Sequence, residues 1–269
     1  MSFTPLFTIS GHEVFGHYND KVPHGQSYSN PLITESIPGA ERHYLKPPYD
    51  RDKKPTPYVI ANELVCATLA NQLGILVAET HAIAPTPENA HGYFASKSVE
   101  APTLLDSEWD DCNNCPLFRE DLATLIAFDV WVLNRDRSNS NMLVHTDEGG
   151  SKRIIAIDHA AALFNHGADH NHINLKLGQT ADSLISNTIE DCVFFGIEIS
   201  KSGLINAAAR IATLSPGIVQ AAVNSVPKWA LSQSDKSFLI SKLDHRRKHI
   251  NAYISGLVSH EHFATLLCP

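Results

Sequence analysis

Residues 141–158 constrain the fold most. Two apolar runs, 142–145 and 153–157, flank Asp147-Glu148-Gly149-Gly150. Gly149 and Gly150 can adopt the positive φ angles of a two-residue hairpin turn. With those two residues at the turn, Asn141 falls opposite Asp158. Two oxygen-bearing side chains then end adjacent strands at one edge of the hairpin. Asp136 lies in the loop that leads into that edge.

An Asn carbonyl and an Asp carboxylate are hard ligands suited to Mg²⁺. A second carboxylate nearby can accept or orient a hydroxyl proton. Phosphoryl transfer needs this combination, with metal to neutralise phosphate charge and a carboxylate to position the nucleophile. Ordinary turn chemistry would also place Asp and Asn before a strand. The addition of Asp158 in paired register favours a functional site.

The flanking segments differ in character. Residues 1–40 are rich in Gly, Pro, Ser and Asn and predict loops with short strands. Residues 42–46 alternate as a strand, and Pro47-Pro48 stops it. A helix is expected with Thr56 as N-cap and Pro57 as its first residue, carrying Ile60, Leu64, Val65, Leu69 and Leu73 at helical spacing. Gly74 supplies its stop. Residues 77–83 and 92–99 read as strands. From about Leu117 the pattern is mainly helical: Leu122, Leu125, Ile126, Val130 and Leu133 mark one apolar helix. Further helices are expected at 182–193, 203–213, 217–225 and 234–257. The expected fold is therefore α+β with two lobes. Residues 1–115 form a sheet-plus-helix lobe, and residues 116–269 form a mainly helical lobe that carries the hairpin.

Composition bounds the function. The chain has 269 residues, 43% hydrophobic and 19% charged, enough to bury a core. Its net charge of −8 and lack of a long Lys/Arg run speak against nucleic acid as a partner. The densest basic stretch, residues 244–249, reads as the solvated face of a helix. No apolar run reaches membrane-spanning length, and the N-terminus shows no signal peptide. Five cysteines suit a reducing compartment, hence the cytoplasm. Cys112-Asn113-Asn114-Cys115 has the spacing of half a zinc knuckle without a second pair, so it reads as a loop feature.

The run Asn134-Arg135-Asp136-Arg137-x-x-x-Asn141, followed by an apolar strand ending in Asp158, resembles the catalytic and metal loops of HipA-like kinases. It is also similar to those of the phosphoinositide-kinase-like group. Val226-Pro227-Lys228-Trp229 and the long helix with Leu239, Leu243 and Arg246-Arg247 resemble the end of short HipA-like domains. The resemblance covers residues 25–255 and implies a two-lobed, protein-kinase-like fold. It makes Asp136 the catalytic aspartate, Asn141 and Asp158 the Mg²⁺ ligands, and Lys46 the lysine that holds ATP phosphates. Glu63, on an otherwise apolar helix face, needs a partner, and the resemblance makes Lys46 that partner; the alternative is a surface lysine before Pro47-Pro48 and a glutamate on the solvent edge of the helix. No Gly-x-Gly-x-x-Gly loop is present; Gly25 and Ser27, within His24-Gly25-Gln26-Ser27-Tyr28-Ser29, are the nearest phosphate-cradling candidates. Ser138 stands where the family often has His, and His159-Ala160 follows the metal aspartate in place of Phe-Gly. Asp129 reads as a structural, partnered acid. Arg137 either neutralises charge near the phosphates or pairs with Asp129.

The implied activity is ATP-dependent transfer of a phosphoryl group to a hydroxyl acceptor, with protein Ser or Thr favoured. Two alternatives stand beside it. A pseudokinase would keep the fold and bind nucleotide without turnover. A metal-dependent hydrolase would use the His-rich stretch 159–172, with His159, His166, His170 and His172, as a transition-metal site. In the kinase reading that stretch is an exposed loop near the substrate.

Overall fold

The computed structural model describes residues 16–17, 32–35, 42–48, 54–85, 90–99, 103–104, 114–165, 173 and 198–268. The fold is mixed α/β, with small sheets and a group of packed helices. Strands β1 (Gly16–His17), β2 (Leu32–Glu35) and β3 (Arg42–Lys46) precede helix α1 (Tyr58–Gln72). Strands β4 (Leu76–Val77), β5 (Thr80–Ile83), β6 (Tyr93–Lys97) and β7 (Thr103–Leu104) follow. Helix α2 (Pro116–Val132) leads through a 3₁₀ turn (Asn139–Asn141) into the hairpin β8 (Met142–Thr146) and β9 (Lys152–Ala156). Beyond these lie β10 (Ile199–Ser200), α3 (Lys201–Thr213), α4 (Pro216–Ser225), α5 (Gln233–Val258), α6 (Glu261–Ala264) and β11 (Leu267–Cys268). The helix expected at 182–193 lies outside the described residues, as do Gly25 and Ser27.

Among the described residues, one sheet has the order β1-β2-β3-β6-β5 and is antiparallel throughout. A second has the order β4-β9-β8-β7, with β4 parallel to β9. The strand expected over 77–83 is thus two strands in two sheets. Ala78 and Glu79 carry the chain from one sheet to the other.

Helix α1 buries most of its circumference, including Val59, Ile60, Val65, Cys66, Leu69 and Ala70. It contacts β4, β5 and β6 on one side and α4 on another. A helix apolar on nearly all sides belongs inside such a stack. It starts one residue later than expected. Pro57 holds the cap position without a side-chain bond, while Thr56 Oγ1 accepts only a long 3.4 Å bond from the Tyr58 amide. Its end is as expected. Gly74 sits at φ +74°, with Gly74 N bonded to Asn71 O and Ile75 N to Ala70 O, a Schellman closure.

The hairpin exists, but its register differs by one residue from the expected one. Met142 pairs with Ala156 and Thr146 with Lys152. Asn141 therefore lies opposite Ile157, whose amide bonds to the Asn141 carbonyl, and not opposite Asp158. The cause is Asp147. Its Oδ1 accepts from Gly149 N at 2.9 Å and Ser151 N at 2.8 Å. Gly150 N bonds to Asp147 O, and only Gly150 of the two glycines has positive φ. These bonds fix a three-residue loop in which the last residue is left-handed.

Basic side chains tie helix ends to neighbouring helices. The stretch 244–249, expected to be solvated, buries Arg246 and Arg247. Arg246 donates to Trp131 O at 2.7 Å and Val130 O at 2.6 Å at the end of α2. In return Trp131 Nε1 donates to Leu243 O of α5. Arg247 donates to Ala212 O near the end of α3, Lys236 to Asn224 and Val226 carbonyls at the end of α4, and Arg210 to Leu73 O at the end of α1. Terminal carbonyls lack partners within their own helix and carry partial negative charge. Cations from adjacent helices satisfy both needs. Burial pulls the Arg246 guanidinium down to about 10, against a raising effect of Tyr253. Gly203 lets α3 approach α2, since a Cβ there would lie 2.9 Å from Ala123 Cβ.

Among the described residues no helix is long and apolar enough to cross a membrane. Replacing Arg246 by Met keeps much of the buried stem and removes the donors. We expect a loss of about 2–4 kcal/mol in unfolding free energy, as charge-assisted bonds to buried carbonyls disappear. Denaturant unfolding of wild type and Arg246→Met checks it; a change below about 0.5 kcal/mol, the scale of a neutral surface substitution, would remove this role.

Candidate active site

Four segments meet around Asp158: the end of β3, the middle of α1, the loop after α2 and the chain after β9. Lys46 closes β3, where it pairs with Phe94 of β6. Its Nζ lies 2.8 Å from Glu63 Oε1 and 2.7 Å from Asp158 Oδ1. Glu63 is 2% exposed. Its Oε2 accepts the His159 backbone N–H at 2.9 Å and faces His159 Nδ1 at 3.6 Å. Lys46 and Glu63, expected to pair, are therefore in contact, and Asp158 shares the same lysine.

The electrostatics follow from this geometry. Burial opposes charge on Lys46, but Asp158 and Glu63 outweigh it and hold the ammonium above its usual range. Burial likewise opposes charge on Glu63, yet Lys46 and His159 hold its carboxyl well below the usual carboxylate range. Cys66, one turn along α1, is a buried thiol pushed up by burial and by the nearby Glu63 and Asp129 carboxylates.

The loop after α2 is built on Arg137, which is fully buried. Its Nε and Nη2 donate to Asp129 Oδ2 at 2.9 Å and Oδ1 at 3.2 Å. Its Nη1 donates to Asn141 O at 2.8 Å and also to Ile157 O. Arg137 thus joins the last turn of α2 to the ends of both hairpin strands. Burial opposes its charge, but Asp129 raises its pKa overall. Of the two roles open to Arg137, the contacts are those of a partner to Asp129, which is itself buried. Buried Asn134 bridges the same acid and the loop, donating to Asp129 Oδ1 and accepting from Asp136 N. Leu133 turns the chain out of α2 at φ +56°.

That frame holds Asp136 half-buried. Asn141 Nδ2 donates to the Asp136 carbonyl at 2.5 Å, so the amide is oriented by its nitrogen. The oxygen end of Asn141 is then the one able to meet a cation. Asp158 has φ +55°, and its Oδ1 also accepts from Ala160 N at 3.2 Å. Its side chain keeps about a third of its surface exposed, at 35%. A half-open carboxylate and an amide oxygen are the donor types that Mg²⁺ accepts while retaining water ligands.

Two residues of this region escaped the sequence reading. Asn62, fully buried on α1, donates Nδ2–H to Ala160 O at 2.8 Å and accepts from Phe164 N at 3.4 Å. The signal was present: Asn62-Glu63 is a polar pair inside the apolar run 59–66. His159, placed by sequence in an exposed loop, is 2% exposed, with its ring edge-on to Phe128. His166, His170 and His172 lie outside the described residues. Among the described residues no group of three His, Cys, Asp or Glu side chains is placed to hold a metal ion.

The family profile described as HipA-like kinase matches residues 51–192, more than half of the chain. The chain belongs to the HipA-like kinase family. The matched span contains Glu63, Asp136, Asn141 and Asp158, and it begins after Lys46. Among solved structures, the fold is similar to the Helicobacter pylori proinflammatory kinase CtkA. The TM-score is 0.58 at 17% identity, over 89% of this chain and 95% of that one. It is also similar to HipA of Shewanella oneidensis MR-1, solved with HipB and operator DNA, with TM-score 0.50 at 12% identity. That match covers 97% of this chain and 69% of HipA. No curated protein matches the sequence.

The buried carboxylate makes a stability prediction with a defined pH sense. Lys46→Met leaves Glu63 without its ammonium, and we expect a loss of about 3–5 kcal/mol near pH 7. In wild type Glu63 is held low, so its contribution is complete above the ordinary carboxylate range and is lost as pH falls below it. In Lys46→Met burial raises Glu63, so the variant gains relative stability as pH falls from neutral towards the ordinary carboxylate range. The double variant Lys46→Met/Glu63→Gln recovers much of the loss, because the neutral amide needs no ammonium and its oxygen still accepts from His159 N. Unfolding curves at pH 7 and pH 4.5 test this. Equal losses at both values would show that Glu63 does not depend on Lys46.

Proposed function

We propose that this chain is an ATP-dependent kinase that transfers the γ-phosphoryl group to a hydroxyl, with Mg²⁺ as the metal and protein Ser or Thr as the favoured acceptor. The observation that carries the reading is Lys46 Nζ held at 2.8 Å from Glu63 and 2.7 Å from Asp158. In protein kinases a strand lysine paired with a helix glutamate stands beside a metal-binding aspartate. Membership of the HipA-like kinase family supports the same activity.

Each residue has a role in this reading. Lys46 contacts the phosphates, and Glu63 holds it in place. Asn141 and Asp158 hold the metal, whose chemistry is to neutralise charge on the phosphate oxygens. Asp136 accepts or orients the acceptor hydroxyl proton. Gly25 and Ser27 remain candidates to cradle phosphate. In a two-lobed arrangement, residues 1–115 cover the nucleotide and residues 116–269 present the catalytic loop, with a cytoplasmic setting. The antiparallel sheet bearing Lys46 and the loop fixed by Arg137 support that division of labour.

The pseudokinase alternative keeps the same residues and differs only in turnover. The hydrolase alternative loses support at His159, whose backbone and ring are both turned to Glu63. Asp136→Asn is near-isosteric, so it separates catalysis from folding. We expect phosphoryl transfer to fall by roughly 10²–10⁴-fold, the worth of a positioned acid–base group. The readout is ADP release and label incorporation from γ-labelled ATP, with a Ser/Thr-rich protein or the enzyme itself as acceptor. Mg-ATP affinity by calorimetry stays near the wild-type value. Full activity in the variant would remove Asp136 from catalysis, and absence of turnover in wild type with intact Mg-ATP binding would favour the pseudokinase.

A further inference from the structure

Residues 158–165 are held in an uncommon backbone path. Asp158, Leu163 and Asn165 have φ of +55°, +48° and +46°. Side chains other than Gly rarely adopt this region, and such residues persist only when their surroundings over-determine them. Two internal bonds, Ala162 N to His159 O and Asn165 N to Ala162 O, curl the segment. Further support comes from outside, beginning with the Lys46 ammonium on Asp158. Leu163 N bonds to Val132 O at the end of α2. Two further anchors are consecutive residues of α1: Glu63 takes His159 N, and Asn62 takes Ala160 O and Phe164 N.

Ala160 and Phe164 are buried, at 4% and 0% exposure. Buried backbone groups need partners, and Asn62 supplies one to the Ala160 carbonyl and one to the Phe164 amide. Ala160 also donates its own N–H to Asp158 Oδ1. The carbonyl and amide of one residue thus connect Asn62 to the carboxylate.

We propose that Asn62 is a positioning residue of the metal site, fixing the direction of the Asp158 carboxylate through the Ala160 peptide and the Phe164 amide. This deepens the kinase reading and rests on Asp158 being a metal ligand. Asn62 touches neither nucleotide nor metal and acts only through the chain it holds. Groups that orient a metal ligand commonly change metal affinity by about 10–100-fold when removed.

The test compares the affinity for ATP with Mg²⁺ and for ATP with chelator, by calorimetry, in wild type, Asn62→Leu and Asp158→Ala. Leu keeps the branched shape and heavy-atom count of Asn and removes both hydrogen-bonding ends. The expected result is that Asn62→Leu loses about tenfold or more of the gain that Mg²⁺ gives to ATP binding, while metal-free ATP binding stays at the wild-type level. If Asn62→Leu does not fold, Asn62→Ala carries the same comparison, because it removes both hydrogen-bonding ends without adding volume. A folded variant that keeps the full Mg²⁺-dependent gain, while Asp158→Ala loses it, overturns the positioning role and leaves the metal site standing. An equal fall in both affinities also overturns it, since that marks general damage to the nucleotide site. Retention of the gain in Asp158→Ala overturns the metal-site reading and the positioning role with it.

Discussion

A carboxylate at 2% exposure on an almost wholly apolar helix is the constraint on which the site depends. Glu63 cannot stay charged there without partners, and its two oxygens find them on different elements. One oxygen takes the ammonium that ends β3; the other takes the amide after Asp158. The burial that makes α1 central to the fold thus obliges it to bind the strand before it and the hairpin far behind it. Removing the charge would relax the packing problem and would leave Lys46 with Asp158 as its remaining carboxylate at the site. Stability and site geometry are here the same interaction.

A second principle runs through the helices. The interior cations Arg137, Arg246, Arg247 and Lys236 donate mainly or partly to backbone carbonyls. Arg137 and Arg247 also meet carboxylates in ion pairs, with Asp129 and Asp244. Carbonyl-bound cations fix where a chain segment ends, and their bonds must offset the hydration each loses on burial. Arg137 shows the outcome most clearly. It takes Asn141 and Ile157 carbonyls at the open end of the hairpin, so the strand ends that carry the candidate ligands cannot spread.

How far the sequence was legible depended on whether the relevant choice was local. The Schellman end of α1 was legible because Gly74 is dictated by the backbone path alone. The pairing of Lys46 with Glu63 was legible because a lone acid on an apolar face demands a cation. The hairpin was legible, but its register was not, since Gly149-Gly150 permits either of two turns. The choice fell to the Asp147 carboxylate reaching Gly149 and Ser151 amides. Arg246 and Arg247 misled for the opposite reason. Their partners are carbonyls at the ends of α2 and α3, far off in the chain, and composition alone reads a basic run as solvated. The break at Ala78-Glu79 was hidden for a similar reason, as β4 pairs with β9, far off in the chain.

The strain after Asp158 and the bonds from α1 belong together. A left-handed aspartate puts its carboxylate where an ordinary extended residue could not, and the cost of that backbone falls on the segment that follows. Asn62 and Glu63 meet the cost with three hydrogen bonds to that segment, from adjacent positions on one helix. Their adjacency matters, because a shift of α1 would release all three at once and withdraw Glu63 from Lys46 in the same movement. The arrangement of Asp158 is therefore coupled to the seating of α1 by direct contacts, with no intervening pathway required. For a chain whose candidate chemistry needs lysine, metal aspartate and catalytic loop assembled together, that coupling makes the site form as a unit.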